Sequence, residues 1–207
     1  MVVALSLLEV ALSQLTHVIA MHEPWFYALW TLGAYLLGSL SMGDLVTRTA
    51  RVNIRTMGTG NPGAANIYRE VGPPYGIAVF VLDIAKGAAA TVPLYLLGLP
   101  TWAGLLAMAA LLAGQFFPVF WSFHGGTGMA AGMGTLAGLL PLGFLIATPI
   151  TLLAVRLSRN AAYSGGLFFL VTLLAGGLLH RDGVGVIAVV LGGAAIIIRA
   201  WFQYRRR

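Results

Sequence analysis

Long apolar runs broken by short polar stretches set the pattern of this chain. Residues 26–47, 74–97, 102–120, 129–157, 162–179 and 184–201 are apolar over most of their length. Runs of this kind cross the roughly 30 Å hydrocarbon core of a bilayer as helices. The run 129–157 contains Pro141 and Pro149. A single tilted helix there would carry Arg156 and Arg159 to the opposite side of the membrane from the other arginines. Two shorter helices turning near Pro141–Gly143 keep them together, and this is the reading taken. Each half is short for a span, so it must be buried in the bundle or lie where the membrane thins. The expectation is an all-α, polytopic membrane helix bundle of about seven transmembrane helices. Residues 26–207 form its single membrane-embedded domain.

Residues 1–25 stand apart. Ser6, Glu9, Ser13, Gln14 and His17 recur at near-helical spacing within an otherwise apolar stretch. An amphipathic helix lying in the interface is the first reading and a weak extra span the second. A basic leader is absent, which argues against a cleaved signal peptide.

Composition reinforces the pattern. The chain is 59% hydrophobic and 9% charged, with mean hydropathy +0.89, whereas a soluble domain carries about 25% charged residues. Net charge is +6. The basic residues lie at the ends of apolar segments, so they report orientation rather than nucleic-acid binding. With seven spans, ten of the twelve basic residues fall on one side. The positive-inside rule makes that side cytoplasmic and places the polar loops and the C-terminus there. There is no cysteine, so no disulfide, thiolate nucleophile or cysteine metal site is available. No cofactor or metal is assigned.

The polar stretches hold the candidate chemistry. Ile54–Asn66 reads I-R-T-M-G-T-G-N-P-G-A-A-N and contains Arg55, Gly58, Thr59, Gly60, Asn61 and Asn66. Glycines admit positive φ, and successive exposed N–H groups in such turns form anion-binding nests. An arginine adds a bidentate partner for phosphate or carboxylate. The ordinary alternative is a connecting loop. A second glycine loop, His124 to Gly128, reads H-G-G-T-G and opens directly onto a helix, a geometry that suits an anion. His124 could act as a general base, although a lone interfacial histidine is more often simply solvated. Asp83 and Lys86 lie three apart within a span, as a packing ion pair or part of a site. The first span ends G-S-L-S-M-G-D at residues 38–44, where Ser39 is either interhelical glue or a site wall.

These four features occur in order: G-S-L-S-M-G-D at 38–44, the 54–66 stretch, D-I-A-K-G at 83–87, and G-Q-F-F-P-V-F-W-S-F-H-G-G-T-G at 114–128. Together they resemble the bacterial membrane acyl-phosphate:glycerol-3-phosphate acyltransferases, from about residue 30 onward. The resemblance implies a seven-helix fold with a cytoplasm-facing site. It also implies transfer of a fatty acyl group from acyl phosphate to the 1-hydroxyl of glycerol 3-phosphate, giving lysophosphatidic acid. The implied partners are those two substrates and membrane lipid. Ser39 and Arg55 are then the catalytic candidates. Gly58, Thr59, Gly60, Asn61, Asn66, Lys86, Gly125, Gly126, Thr127 and Gly128 are the implied substrate-binding positions. The chain departs from the family pattern at Gln115, where the family has histidine, and at Thr127, where it has lysine. At Arg199–Gln203 the family reads R-H-R-x-N, and where it has a serine the chain has Ala162, with Ser164 nearby. Two alternatives stand beside this reading: an impaired or differently specific paralogue keeping one phosphate site, and a small transporter of a phosphorylated solute.

Overall fold

A computed structural model describes residues 24–158, 160–180 and 183–205, apart from the side chains at 161, 162, 177, 180 and 204. The expectations for residues 1–20, and for much of the His180–Gly183 turn, lie outside them. The described residues form nine α-helices: α1 Pro24–Ser39, α2 Met42–Thr49, α3 Ala64–Glu70, α4 Pro73–Leu96, α5 Thr101–Phe116, α6 Met129–Leu139, α7 Pro141–Ser158, α8 Ala161–His180 and α9 Gly183–Arg205. Short 3₁₀ turns at Ile54–Thr56 and Val119–Trp121 complete them.

Every stretch expected to span is helical. Four helical stretches are long and apolar enough to cross a membrane by length and composition: Pro73–Leu96, Thr101–Trp121, Pro141–Ser158 and Gly183–Gln203. The run 129–157 is indeed two helices, parted at Leu140 beside Pro141. The two halves meet their shortness differently. Helix α6 has 11 residues and buries nine of them, including Gly132, Gly134 and Gly138. Helix α7 has 18 residues and buries only Gly143, Ala147 and Thr151.

The first run behaves otherwise than expected. Residues 26–47 are not one helix but α1 and α2, broken at Leu40–Ser41. Ser41 caps α2: its Oγ donates to Asp44 Oδ2 at 2.5 Å and accepts from the Asp44 N–H at 3.5 Å. This competes with continuation of the helix, as short polar side chains at an N-cap do. The break leaves the Leu40 carbonyl outside the helical ladder.

Helix α6 is the hub of the bundle. Within a bilayer, helices associate through close packing rather than water exclusion, which favours small residues at contacts. A Cβ added at Gly87 of α4 would lie 2.2 Å from the Ala131 carbonyl oxygen, and one at Gly134 would lie 2.1 Å from that of Ile84. The Thr91 hydroxyl donates across the same contact to Thr135 O at 2.8 Å. On α6's other side, Met133, Leu136, Leu139 and Leu140 pack with Met108, Leu112, Phe168, Val189 and Ile196. Helices α1 and α5 meet equally closely, with Gly114 against the Tyr35 carbonyl and Gly38 against that of Leu111.

Helix direction follows from these contacts. The break after α1, the 50–72 connection, the 117–128 segment, the α7–α8 junction and the C-terminal part of α9 lie at one end of the bundle. The α4–α5 turn and the α6–α7 turn lie at the other. Both glycine loops and most of the arginines therefore share one end.

Candidate active site

The first loop is a small folded unit. Ile54 and Ile67 are fully buried and pack with Val79 of α4, anchoring both ends of the loop to the bundle. Gly58 and Gly60 take φ of +50° and +66°, the left-handed region that suits glycine. The Asn66 side chain closes the turn. Its Oδ1 accepts from the Thr59 N–H at 2.9 Å, and its Nδ2 donates to Met57 O and Asn61 O, each at 3.1 Å. The Gly60 N–H donates to Met57 O at 2.8 Å. Two of the amides expected to form an open nest thus hold the loop itself. Asn61 Oδ1 accepts from the Gly63 N–H at 3.1 Å.

Arg55 links this unit to its surroundings. Its Nε and Nη2 donate to the two carboxylate oxygens of Asp44 at 2.8 and 2.6 Å, a bidentate fork. Its Nη1 donates to the His124 carbonyl at 2.7 Å. The guanidinium also lies 5.3 Å from the ring centre of Trp121, which Arg48 approaches at 4.7 Å. The Arg55 side chain remains 27% exposed, whereas that of Asp44 is 6% exposed. Arg55 therefore keeps an accessible cationic face while its neutralising partner is buried.

The second loop is held from outside. The His124 carbonyl belongs to Arg55. The Gly125 carbonyl accepts from Gln203 Nε2 at 2.9 Å and from Arg199 Nη2 at 3.4 Å, and Arg199 also donates to Phe116 O at 2.8 Å. In a trans peptide the carbonyl and the following N–H point in opposite directions. Fixing the carbonyls of His124 and Gly125 therefore turns the N–H groups of Gly125 and Gly126 away from the three donors. The amides of Gly125 through Gly128 find no backbone acceptor among the described residues. Gly128, with φ +76°, starts α6, so these amides add to the positive end of a helix. The two loops touch here. A Cβ on Gly126 would lie 3.2 Å from Asn61 Oδ1 and 3.5 Å from Gln115 Nε2.

The remaining expected residues are placed as follows. Ser39 is fully buried. Its hydroxyl donates to Tyr35 O at 2.9 Å and accepts from the Val119 N–H at 3.4 Å, tying α1 to the segment before the second loop. Lys86 is also buried. Its ammonium meets Leu40 O at 2.8 Å, Asp83 Oδ1 at 2.9 Å, and Gln115 Oε1. The ammonium, which can only donate, thus makes two hydrogen bonds, to the Leu40 and Gln115 oxygens, and an ion pair with Asp83, all inside the bundle. The His124 ring is exposed, with Nδ1 2.6 Å from Ser122 O. Thr127 is half-buried at the mouth of α6. Ser164 is buried and bonded to Asn160 O at 3.0 Å.

Sequence reasoning did not assign Asp44, Gln115, Arg199 or Gln203 to the site. The S-M-G-D spacing could have flagged the helix start at Asp44, because a serine followed three residues later by an acid caps helices. The family pattern marks Arg199–Gln203 as departures, but no spacing along the chain shows their contact with Gly125, which they reach across about 75 residues.

Fold and site together define a helical membrane protein with two glycine loops and an arginine at one end of the bundle. The glycerol-3-phosphate acyltransferase family model matches residues 28–207. Glycerol-3-phosphate acyltransferases from Sinorhizobium medicae and Geotalea daltonii are 34% and 38% identical. Those alignments cover 83% and 77% of this chain, and 81% and 86% of the relatives. That from Geobacter metallireducens is 45% identical over 55% of this chain, and the match spans 59% of that relative. A crystal structure of PlsY (YgiH), an integral membrane glycerol 3-phosphate acyltransferase, in its glycerol 3-phosphate form superposes with TM-score 0.77. It is 26% identical, over 87% of this chain and 90% of that one. The lysophosphatidic acid form of the same protein gives TM-score 0.75. The chain belongs to the glycerol-3-phosphate acyltransferase family, and it is an integral membrane acyltransferase.

Proposed function

We propose that this protein transfers a fatty acyl group from acyl phosphate to the 1-hydroxyl of glycerol 3-phosphate, forming lysophosphatidic acid. The observation that carries this reading is the second loop, whose outward-turned amides meet the first loop beside Arg55. Both substrates carry phosphate, and this arrangement offers backbone donors and an accessible guanidinium to such groups.

The chemistry asks little covalent help from the protein. Acyl phosphate is a mixed anhydride with a good leaving group. The glycerol hydroxyl oxygen attacks the acyl carbonyl carbon, a C–O bond forms, and the acyl–oxygen bond to phosphorus's bridging oxygen breaks. Phosphate departs with the electron pair, and the hydroxyl proton passes to a phosphate oxygen. The protein's part is to align two anions and stabilise charge during displacement. In this scheme Arg55, Gly58, Thr59, Gly60, Asn61 and Gly125 to Gly128 surround the phosphates. Asn66 supports them by shaping the first loop. Ser39 acts where α1 meets the 117–124 segment. Arginine clustering at the loop end of the bundle supports a cytoplasmic orientation of the loops and C-terminus, by the positive-inside rule.

The test is purified protein in lipid, supplied with acyl phosphate and glycerol 3-phosphate and followed for phosphate release and lysophosphatidate. Stoichiometric appearance of both is expected. A folded protein that yields neither product overturns the reading.

A further inference from the structure

Gln115 is the buried polar group that the scheme above leaves unused. It sits on the last turn of α5, 8% exposed, where a membrane bundle accepts a polar side chain only at a cost. Its two amide atoms have different fates. Oε1 accepts from the Lys86 ammonium. Nε2 approaches the Cα face of Gly126 and donates to no group among the described residues. An ammonium can only donate, so Lys86 fixes which end of the amide faces it. Lys86 is itself fixed by Leu40 O and Asp83. The Leu40 carbonyl is available because the chain breaks between α1 and α2.

Asn61 reaches the same glycine from the first loop. Its Oδ1, the Asn61 atom nearest Gly126, accepts from the Gly63 N–H. The two side chains flank Gly126 with unlike atoms, Gln115 Nε2 and Asn61 Oδ1, so the donor at this point is that of Gln115.

Resting on the acyl-transfer reading, we infer that Gln115 binds a substrate phosphoryl group through Nε2, and that Lys86 is the positioning residue that turns this donor toward Gly126. A neutral, orientation-locked amide thus serves where Thr127 contributes no charge. The chemistry recognised is a phosphoryl oxygen. Glycerol 3-phosphate and acyl phosphate share it, and separate KM values identify which one is held.

The experiment uses the full-length protein in lipid, with KM and kcat measured for each substrate in turn. Gln115→Glu keeps the size and the Lys86 contact but removes the donor. Gln115→Met removes the donor without adding charge. Each is expected to raise KM for at least one substrate about tenfold or more, as loss of a hydrogen bond to a charged group does, with kcat changed less than about threefold. Direct titration with glycerol 3-phosphate or inorganic phosphate should show matching weakening if the free acceptor is the one bound. Lys86→Met with Asp83→Asn should raise the same KM in the wild-type background and by less than about twofold in the Gln115→Met background, since Lys86 acts through Gln115. Unchanged KM for both substrates in the folded Gln115→Glu and Gln115→Met proteins overturns the binding role. Full additivity in the Lys86 comparison overturns the positioning role. Wild-type protein that makes no lysophosphatidate instead overturns the acyl-transfer reading.

Discussion

The two glycine loops look alike in sequence and are built in opposite ways. The loop at 57–66 is self-supporting: Asn66 and two of the loop's own amides close it, and Ile54 and Ile67 anchor it. The loop at 124–128 depends on others, because its carbonyls are held by Arg55, Arg199 and Gln203. A loop that uses its own donors keeps its shape but has fewer to offer a ligand. A loop held by distant side chains keeps its amides for a ligand, but its geometry is only as good as those side chains. In the proposed function the first loop therefore serves mainly as scaffold, and the second mainly as the donor surface.

The largest expected effect comes from the residue that joins them. Arg55→Ala removes the tie to the His124 carbonyl and leaves Asp44 as a buried carboxylate without its cation. Breaking such a pair costs about 3–5 kcal/mol. Acyl transfer should fall by at least about a hundredfold, with a lower Tm. Arg55→Lys should recover little of the activity, since a lysine cannot reproduce the fork to Asp44 and the third bond together. Near-wild-type turnover in Arg55→Lys would show that the two loops do not need that joint.

Next is Gln203→Ala, which releases the Gly125 carbonyl while leaving the first loop intact. kcat/KM should drop about tenfold, in keeping with a lost hydrogen bond of about 1 kcal/mol that also misaligns an amide. Thermal stability should hardly change. A large fall in Tm with normal kinetics would make Gln203 a packing residue instead.

Asn66→Ala tests the other side of the comparison. It removes three hydrogen bonds and should destabilise the protein by about 2–3 kcal/mol, leaving kcat per folded molecule within about threefold. A selective loss of substrate affinity at unchanged Tm would place Asn66 on the ligand rather than in the scaffold.

The smallest effect is expected from Thr127→Lys. It adds a cation at a half-buried position beside amides that already face the site. KM for glycerol 3-phosphate should fall by about three- to tenfold, measured at low ionic strength where screening is weak. An effect larger than that would mean that the amides alone hold phosphate poorly.

Much of this molecule is legible along the chain. The apolar runs located the helices, and Pro141 located the turn between α6 and α7. The grouping of arginines is matched by the shared end of the bundle at which both loops lie. The three-residue spacing of Asp83 and Lys86 became the ion pair seen. The first run was read too simply, because hydropathy averages over the Leu40–Ser41 break that Ser41 and Asp44 create. Lys86 was placed among the phosphate ligands on its charge. Its three internal partners appear only when α1, α4 and α5 are brought together.

Sequence by itself determined what depends on local chemistry: a membrane bundle, two glycine loops, an arginine beside one of them, and a family pattern across 38–128. Tertiary structure alone decided which donors are free. Whether an N–H or an amide nitrogen faces a ligand depends on what occupies its other end, and those occupants come from remote segments. Arg199 and Gln203 hold Gly125, and Lys86 holds Gln115, because helix packing closes distances that periodicity along the chain does not encode.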